Sequence, residues 1–219
     1  MLFASPWRFQ GLPEAGFRAF AVPERDARRL AIVEGFHPAL HALAEDLVER
    51  LAPVASFPLH AHVPRLDWPP GYQPFCTWLA ISHRAQGYQD DPQLNFGVHR
   101  DHVALRLGWD TASAGFGRFQ FLSRHGVLGT ELRALAEREG LRFRVYAPTD
   151  WPDGSTCVFE SPEDVAGSFL AAERRGVWWE LGARYELPGQ LARVCSPEFG
   201  PEVERVFRGL LPACERILG

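Results

Sequence analysis

The chain has 219 residues, of which 46% are hydrophobic and 23% charged, so it carries enough apolar material for a folded core. It has no apolar run of the roughly 18 residues that a transmembrane helix needs, and no basic segment followed by an apolar one opens it. A net charge of −4 argues against a strongly basic nucleic-acid-binding protein. The four cysteines are far apart and form no C-x-x-C pattern, so we expect a reduced, cytoplasmic location.

All 23 basic residues are arginines, which we attribute to composition bias. Without lysine, the chain can form neither a Schiff base nor the lysine-containing phosphate loop of nucleotide-binding proteins. Any anion must therefore be bound by arginine, histidine or backbone amides.

The first 51 residues predict helices. A short helix is expected over 12–20, with Pro13 in its first turn. A second is expected from Pro23 to about Leu51, and Pro38 should kink or split it near Phe36. Its apolar residues recur at helical spacing: Leu40, Leu43, Ala44, Leu47 and Leu51.

A β-hairpin is the clearest prediction in the middle of the chain. Apolar residues alternate with polar ones in two runs: Leu94, Phe96 and Val98, then Val103, Leu105 and Leu107. If Arg100-Asp101 is a two-residue turn, the apolar pairs share one face. Asn95 then lies opposite Arg106, and His99 opposite His102, on the polar face.

Two further strands are predicted before this hairpin, near Leu59 to Val63 and near Phe75 to Ile81. The connection from Ser82 to Pro92 is long, and long loops between strands are more often functional or partner-facing than short ones.

The elements after Trp109 follow from periodicity and capping signals. First come a helix over 129–140, a strand over 141–146 and a loop over 150–154. A helix follows, with Ser161 as its N-cap and its end at Arg175, and then a strand over 177–185. The last element is a helix from Pro201 to about Leu211, which continues through Pro212 with a kink. Together these patterns predict one α+β domain spanning 1–219, with a mainly antiparallel sheet flanked by helices.

A set of residues between His62 and His102 resembles the YktB-like family of uncharacterised bacterial proteins. The matching residues are His62, Arg65, Pro69-Pro70, Trp78, Arg84-x-x-Gly87-Tyr88, Pro92, Phe96-Gly97 and His102, with Phe9-x-Gly11-Leu12, Phe17, Phe20 and Leu210-Leu211-Pro212 outside this stretch. The likeness thus extends over nearly the whole chain. It departs from the family where lysines are usual, since Val63-Pro64 and Gln89 stand there.

The resemblance implies a compact α+β fold with an antiparallel sheet, similar in topology to biotin-protein ligase domains. It implies no established activity, and the sequence leaves open whether the protein is an enzyme.

Six polar residues form the candidate ligand-binding site. Four match the family pattern and two come from the predicted polar face: His62, Arg65, Arg84, Tyr88, Asn95 and Arg106. An arginine pair with such partners can hold a phosphate or carboxylate. The alternative is that each arginine pairs with a surface acid and contributes little.

Other kinds of site have weaker support. Four histidines, His37, His41, His60 and His62, could bind zinc if their elements packed together, but no metal-binding motif accompanies them, so neither a metal nor a cofactor is expected. Asp90-Asp91 is interpreted as loop solvation, and no G-x-S-x-G motif supports serine catalysis. The aromatic cluster of Trp68, Tyr72, Trp78 and Tyr88 is interpreted as core under a proline-rich loop rather than a stacking platform.

Three functional hypotheses follow. The favoured one is a cytoplasmic protein that binds a small anionic ligand. The second is a nucleic-acid-binding module that uses Arg142, Arg144, Arg174 and Arg175. The third is an interaction or oligomerisation protein, because Trp178 and Trp179 adjoin in one strand and one indole must point away from the core, where the C-terminal helix or a partner would cover it.

Overall fold

The protein is built around one seven-stranded antiparallel sheet. The computed structural model describes residues 6–66, 74–148 and 155–218. The strands are β1 (His60–His62), β2 (Cys76–Ser82), β3 (Gln93–His99), β4 (His102–Asp110), β5 (Arg142–Pro148), β6 (Ser155–Ser161) and β7 (Trp178–Glu186). They are ordered β1-β2-β3-β4-β7-β5-β6. The predicted α+β fold with a mainly antiparallel sheet is confirmed.

Helices connect these strands and cover one face of the sheet. They are α1 (Arg25–Leu51), α2 (Ala114–His125), α3 (Leu128–Glu139), α4 (Val165–Arg175), α5 (Leu191–Val194) and α6 (Phe199–Leu218), with 3-10 helices at Glu14–Ala21 and Tyr88–Asp90. In the described part of the chain, none of these helices combines the length and the apolar character that crossing a bilayer requires.

The apolar face of the sheet holds the core. Phe199 of α6 contacts Phe96 with ring centroids 6.0 Å apart. Phe119 of α2 and Phe169 of α4 both pack on Trp179, at 4.8 and 5.6 Å. α1 contacts β1 and β2. Because side chains alternate along a strand, the polar residues of β3, β4 and β7 point to the opposite face.

The predicted hairpin is confirmed in its register. Leu94 pairs with Leu107, Phe96 with Leu105 and Val98 with Val103, all six side chains being buried. The turn between β3 and β4 is formed by Arg100-Asp101. The two preceding strands are also confirmed, as β1 and β2.

Two predictions between residues 155 and 165 need correction. No element was predicted for β6, and Ser161 is the last residue of this strand rather than a helix N-cap. Its hydroxyl oxygen accepts hydrogen bonds from the backbone nitrogens of Glu163 and Asp164, at 3.2 and 3.0 Å, which forms a turn. Asp164 caps α4 by accepting from the Gly167 backbone nitrogen at 2.7 Å.

The helical segments also differ in detail from the prediction. The first is a 3-10 helix, and α1 runs unbroken through Pro38, so a split near Phe36 is wrong. A proline in a helix costs about 3 kcal/mol. Fully burying a leucine or phenylalanine side chain returns roughly 1.5–3 kcal/mol each. α1 buries such side chains on both sides of the proline: Ile32, Phe36, Leu40, Leu43, Leu47 and Leu51. α6 is likewise continuous through Pro212.

Some predicted features fall in parts of the chain that the structure does not describe. These are the aromatic residues Trp68 and Tyr72, the Pro69-Pro70 pair and the loop over 150–154.

Candidate functional site

A cavity of about 830 Å³ lies on the polar face of the sheet. Strands β2 to β7 all contribute side chains to it, and Phe20 and Arg28 join them from the N-terminal helical segment. Small-molecule sites in proteins typically measure roughly 300–1,000 Å³. The cavity is therefore large enough for a metabolite.

Arginines outnumber acidic residues in the lining of this cavity. Four arginines line it, and among the described residues the only acid in its lining is Asp101. These arginines are Arg28, Arg100, Arg106 and Arg184. Two of them also pair with acids outside the lining, Arg106 with Glu180 and Arg184 with Glu186. The guanidinium groups supply donors that suit the oxygens of an anion.

Arg106 is held by a buried ionic network. Its Nη1 donates to Glu180 Oε2 at 2.6 Å, and Arg144 Nη1 lies 3.7 Å from the other Glu180 oxygen. Only 1% of Glu180 is exposed. Tyr146 also donates to Glu180, at 3.2 Å, and burial followed by this carboxylate raises the tyrosine pKa. Glu180 thus holds Arg106 and Arg144 in place, and Arg144 also pairs with Glu160 at 3.4 Å.

Two histidines stack at the hairpin end of the cavity. His99 and His102 have ring centroids 4.1 Å apart and planes 8° apart. His102 Nδ1 lies 2.6 Å from Asp101 Oδ1, whereas His99 Nε2 is buried with no hydrogen-bond partner among the described residues. Burial, followed by His102, Arg106 and Arg184, holds the His99 pKa well below its usual range. Burial also lowers the His102 pKa, although Asp101 opposes this effect. Both imidazoles are therefore neutral at pH 7.

Three of the six predicted site residues line the cavity: Tyr88, Asn95 and Arg106. Asn95 lies opposite Arg106 as predicted, and Arg106 Nε donates to Asn95 Oδ1 at 3.0 Å. Tyr88 lies at the rim, where its hydroxyl accepts a hydrogen bond from Trp78 Nε1 at 3.2 Å. Their role in ligand binding stays a prediction.

The other three predicted residues lie outside the cavity. His62 stacks on Tyr88 with centroids 4.5 Å apart, and its Nε2 is 2.9 Å from the Arg84 carbonyl oxygen. The Arg84 guanidinium pairs with Asp91. Arg65 is exposed in the segment after β1. The six residues therefore do not converge on one point.

Several cavity residues were not predicted as site residues. Arg184 lines the cavity from β7, opposite Ala104 of β4. Trp178 also lines it, with Arg106 Cζ 5.3 Å from its ring centroid, while Trp179 is fully buried in the core. One indole does point away from the core, but the C-terminal helix does not cover it, because α6 packs on the opposite face.

The histidines of the possible metal site and the arginines of the possible nucleic-acid-binding surface make other contacts in the structure. Within the described ranges, no three His, Cys, Asp or Glu side chains are grouped closely enough to hold a metal ion. His37 instead lies 3.2 Å from the Thr77 hydroxyl. Arg142 and Arg144 both pair with Glu160, at 3.4 Å each. These two arginines are already partly neutralised within the protein.

Part of the chain is similar to known proteins. Residues 13–112 match the family model described as "Domain of unknown function (DUF1054)". A UPF0637 protein of Staphylococcus haemolyticus (strain JCSC1435) is 30% identical over 92 residues, which cover 42% of this chain and 45% of that protein. The predicted resemblance to an uncharacterised bacterial family is confirmed over these residues.

The DUF1054 match covers α1 and strands β1 to β4, and thus Tyr88, Asn95 and Arg106. Strands β5 to β7, which complete the cavity with Tyr146, Trp178 and Arg184, lie beyond the matched residues. The chain spans about half the length of the curated relative that it matches.

Proposed function

We propose that this protein binds a small anionic ligand, carrying a phosphate or carboxylate group, in the cavity on the polar face of the sheet. The observation that carries the proposal is the set of four arginines that line a cavity of about 830 Å³, where Arg106 and Arg184 are also oriented by Glu180 and Glu186. Arginine donates in a fork that fits phosphate and carboxylate oxygens.

Aromatic side chains narrow the class of ligand. Trp78, Tyr88, Tyr146 and Trp178 line the same cavity as the arginines. Flat rings favour ligands that have a ring or another apolar part in addition to the anionic group. Nucleotides, phosphosugars and acyl-CoAs combine these properties and are the compounds to test first.

A thermal-shift screen of these compounds tests the proposal with a matched pair of variants. Arg184→Gln removes a cavity arginine, and Arg84→Gln removes one that pairs with Asp91 outside the cavity. We expect at least one anion to raise the melting temperature of the wild type and of Arg84→Gln, and to raise that of Arg184→Gln less. The proposal fails if no compound raises the melting temperature, or if Arg184→Gln responds like the wild type.

The same protein samples test the other two hypotheses. Binding of a single-stranded oligonucleotide that weakens steeply with salt would favour a nucleic-acid-binding module. Sedimentation at several concentrations tests oligomerisation, which stays a prediction. Neither has a structural observation comparable to the arginine-lined cavity.

A further inference from the structure

Gly97 lies in β3 between Asn95 and His99, two residues that line the cavity. It lies in the interior of β3, paired with Trp78 of β2 on one side and Ala104 of β4 on the other. The register is regular on both sides, so the glycine does not mark a bulge. A glycine inside a regular strand weakens it, and often marks a place where another group approaches the backbone closely.

Two other strand glycines near the cavity accommodate the protein's own atoms. A Cβ on Gly108 would lie 2.2 Å from the ring of Trp178, and a Cβ on Gly182 would lie 2.3 Å from the Leu105 carbonyl oxygen. These glycines are therefore required by internal packing. Gly97 differs, because the nearest atoms to its missing Cβ are two polar side-chain nitrogens.

These nitrogens are His99 Nε2 and Arg106 Nη2, each 3.0 Å from the point that a Cβ on Gly97 would occupy. His99 Nε2 is buried and has no hydrogen-bond partner in the described part of the chain. The hydrogen bonds that Arg106 makes to Asn95 and Glu180 use its Nε and Nη1. Nη2 is the nitrogen turned toward Gly97.

A buried polar nitrogen without a partner costs free energy, so its retention calls for an explanation. Here one ligand atom could satisfy it. The two nitrogens lie close together, each 3.0 Å from one point beside the Gly97 backbone, and both belong to residues that line the cavity, as Arg184 does. An oxygen that enters from the cavity side can therefore accept from both nitrogens once their side chains adjust.

We propose that Arg106 Nη2 and His99 Nε2, which lie together beside Gly97, form the seat for one oxygen of the ligand's anionic group, and that this oxygen accepts a hydrogen bond from each of them. This inference rests on the proposed function and adds to it the atoms that hold the anion. The group that fits is an oxyanion, either a phosphate or a carboxylate, and its remaining oxygens face the arginines of the cavity.

Gly97→Ala is the direct test, because the added methyl group crowds both nitrogens of the seat and displaces them. The variant should fold, since Gly97 has no positive φ and the nearest atoms are the ends of side chains that need to move by only a few tenths of an ångström. Gly117→Ala is the matched control, because a Cβ there meets nothing within 4 Å. His99→Phe removes the second nitrogen while keeping a ring to stack on His102.

Inorganic phosphate and acetate serve as probes, with affinity measured by calorimetry and the imidazole nitrogens of His99 observed by NMR. We expect phosphate or acetate to shift the His99 signals in the wild type. We also expect Gly97→Ala and His99→Phe to bind the effective probe at least about tenfold more weakly, since hydrogen bonds to the charged oxyanion are lost or weakened. Gly117→Ala should bind it like the wild type.

The outcomes separate the seat from the wider proposal. If the probes and the ligand panel all fail to bind the wild type, both the seat and the proposed function are overturned. If an anion binds the wild type and binds folded Gly97→Ala equally well, only the seat is overturned. Should Gly97→Ala fail to fold, an unchanged affinity in His99→Phe overturns the seat in its place.

Discussion

Asn95 and Arg106 face each other across β3 and β4, joined by a 3.0 Å hydrogen bond from Arg106 Nε to Asn95 Oδ1. Only 3% of Asn95 is exposed, yet it lies on the polar face and not in the apolar core. Asn95 Nδ2 also donates a hydrogen bond to Gln93 Oε1, at 3.1 Å. The amide thus fixes the orientation of the arginine that belongs to the proposed seat.

The register of the hairpin gives the first testable expectation. Phe96→Ala removes a fully buried ring from the apolar face and should lower the free energy of unfolding by about 3–5 kcal/mol. Asn95→Ala removes one acceptor of Arg106 and should cost less, about 1–3 kcal/mol. Urea denaturation measures both. A larger loss in Asn95→Ala than in Phe96→Ala would contradict the assignment of the two faces.

The buried ionic network predicts a strong effect of neutralising Glu180. Glu180→Gln leaves Arg106 and Arg144 near each other without their shared carboxylate and should destabilise the protein by about 3–5 kcal/mol. The control is Glu186→Gln, since Glu186 is exposed and pairs with Arg184 at the surface. This change should cost less than about 1 kcal/mol. Equal losses in the two variants would show that the network contributes no more than a surface pair.

The free energy of unfolding should fall as the pH drops below 6.5, the ordinary pKa of a histidine side chain. Burial lowers the pKa of His37, His99 and His102 from 6.5. Below pH 6.5 the unfolded chain therefore binds more protons than the folded one, and protonation favours unfolding. Well above this pH the three groups are neutral in both states and contribute no slope.

Denaturation midpoints at pH 7.5, 6.5 and 5.5 would measure this effect, with His99→Phe and the exposed His125→Gln as a matched pair. We expect His99→Phe to show a shallower decline between pH 6.5 and 5.5 than the wild type. His125→Gln should follow the wild type. A decline that is equally steep in His99→Phe would exclude His99 as a source of the pH dependence.

The thiols of Cys76 and Cys214 should react slowly with thiol-specific reagents in the folded protein. Burial raises the pKa of Cys76 and of Cys214 to about 12, so very little thiolate is present at neutral pH. A thiol-specific reagent should label these two residues only after unfolding. Mass spectrometry of the folded protein labelled at pH 7.5 checks this, and rapid modification of Cys76 would show that the cavity floor opens.

The strands that could be predicted from the sequence are those with a clear period of two. β3 and β4 alternate strictly and are joined by a two-residue turn, so their register followed from local residues alone. β6 gave no comparable signal. β6 lies at the edge of the sheet, where it pairs with β5, and its residue Val158 is 40% exposed. Because such a strand is less buried, its sequence needs less apolar alternation.

The site was harder to predict because it depends on pairing between distant strands. Asn95 and Arg106 could be placed together from the hairpin. Arg184 could not, because nothing local shows that β7 inserts between β4 and β5. His62 and Arg84 were grouped with the site by family resemblance. The fold places His62 in the edge strand β1 and pairs Arg84 with Asp91.

The hairpin of β3 and β4 is suited to protein engineering, because the helices α1, α2, α4 and α6 all lie on one side of the sheet. Leu94, Phe96 and Val98 lie in the apolar core, whereas Gln93, Asn95 and His99 of the same strand line the cavity. A combinatorial library that randomises only the cavity-facing positions would leave core packing unchanged. Such a library could exchange the specificity of the pocket while each member inherits the same scaffold.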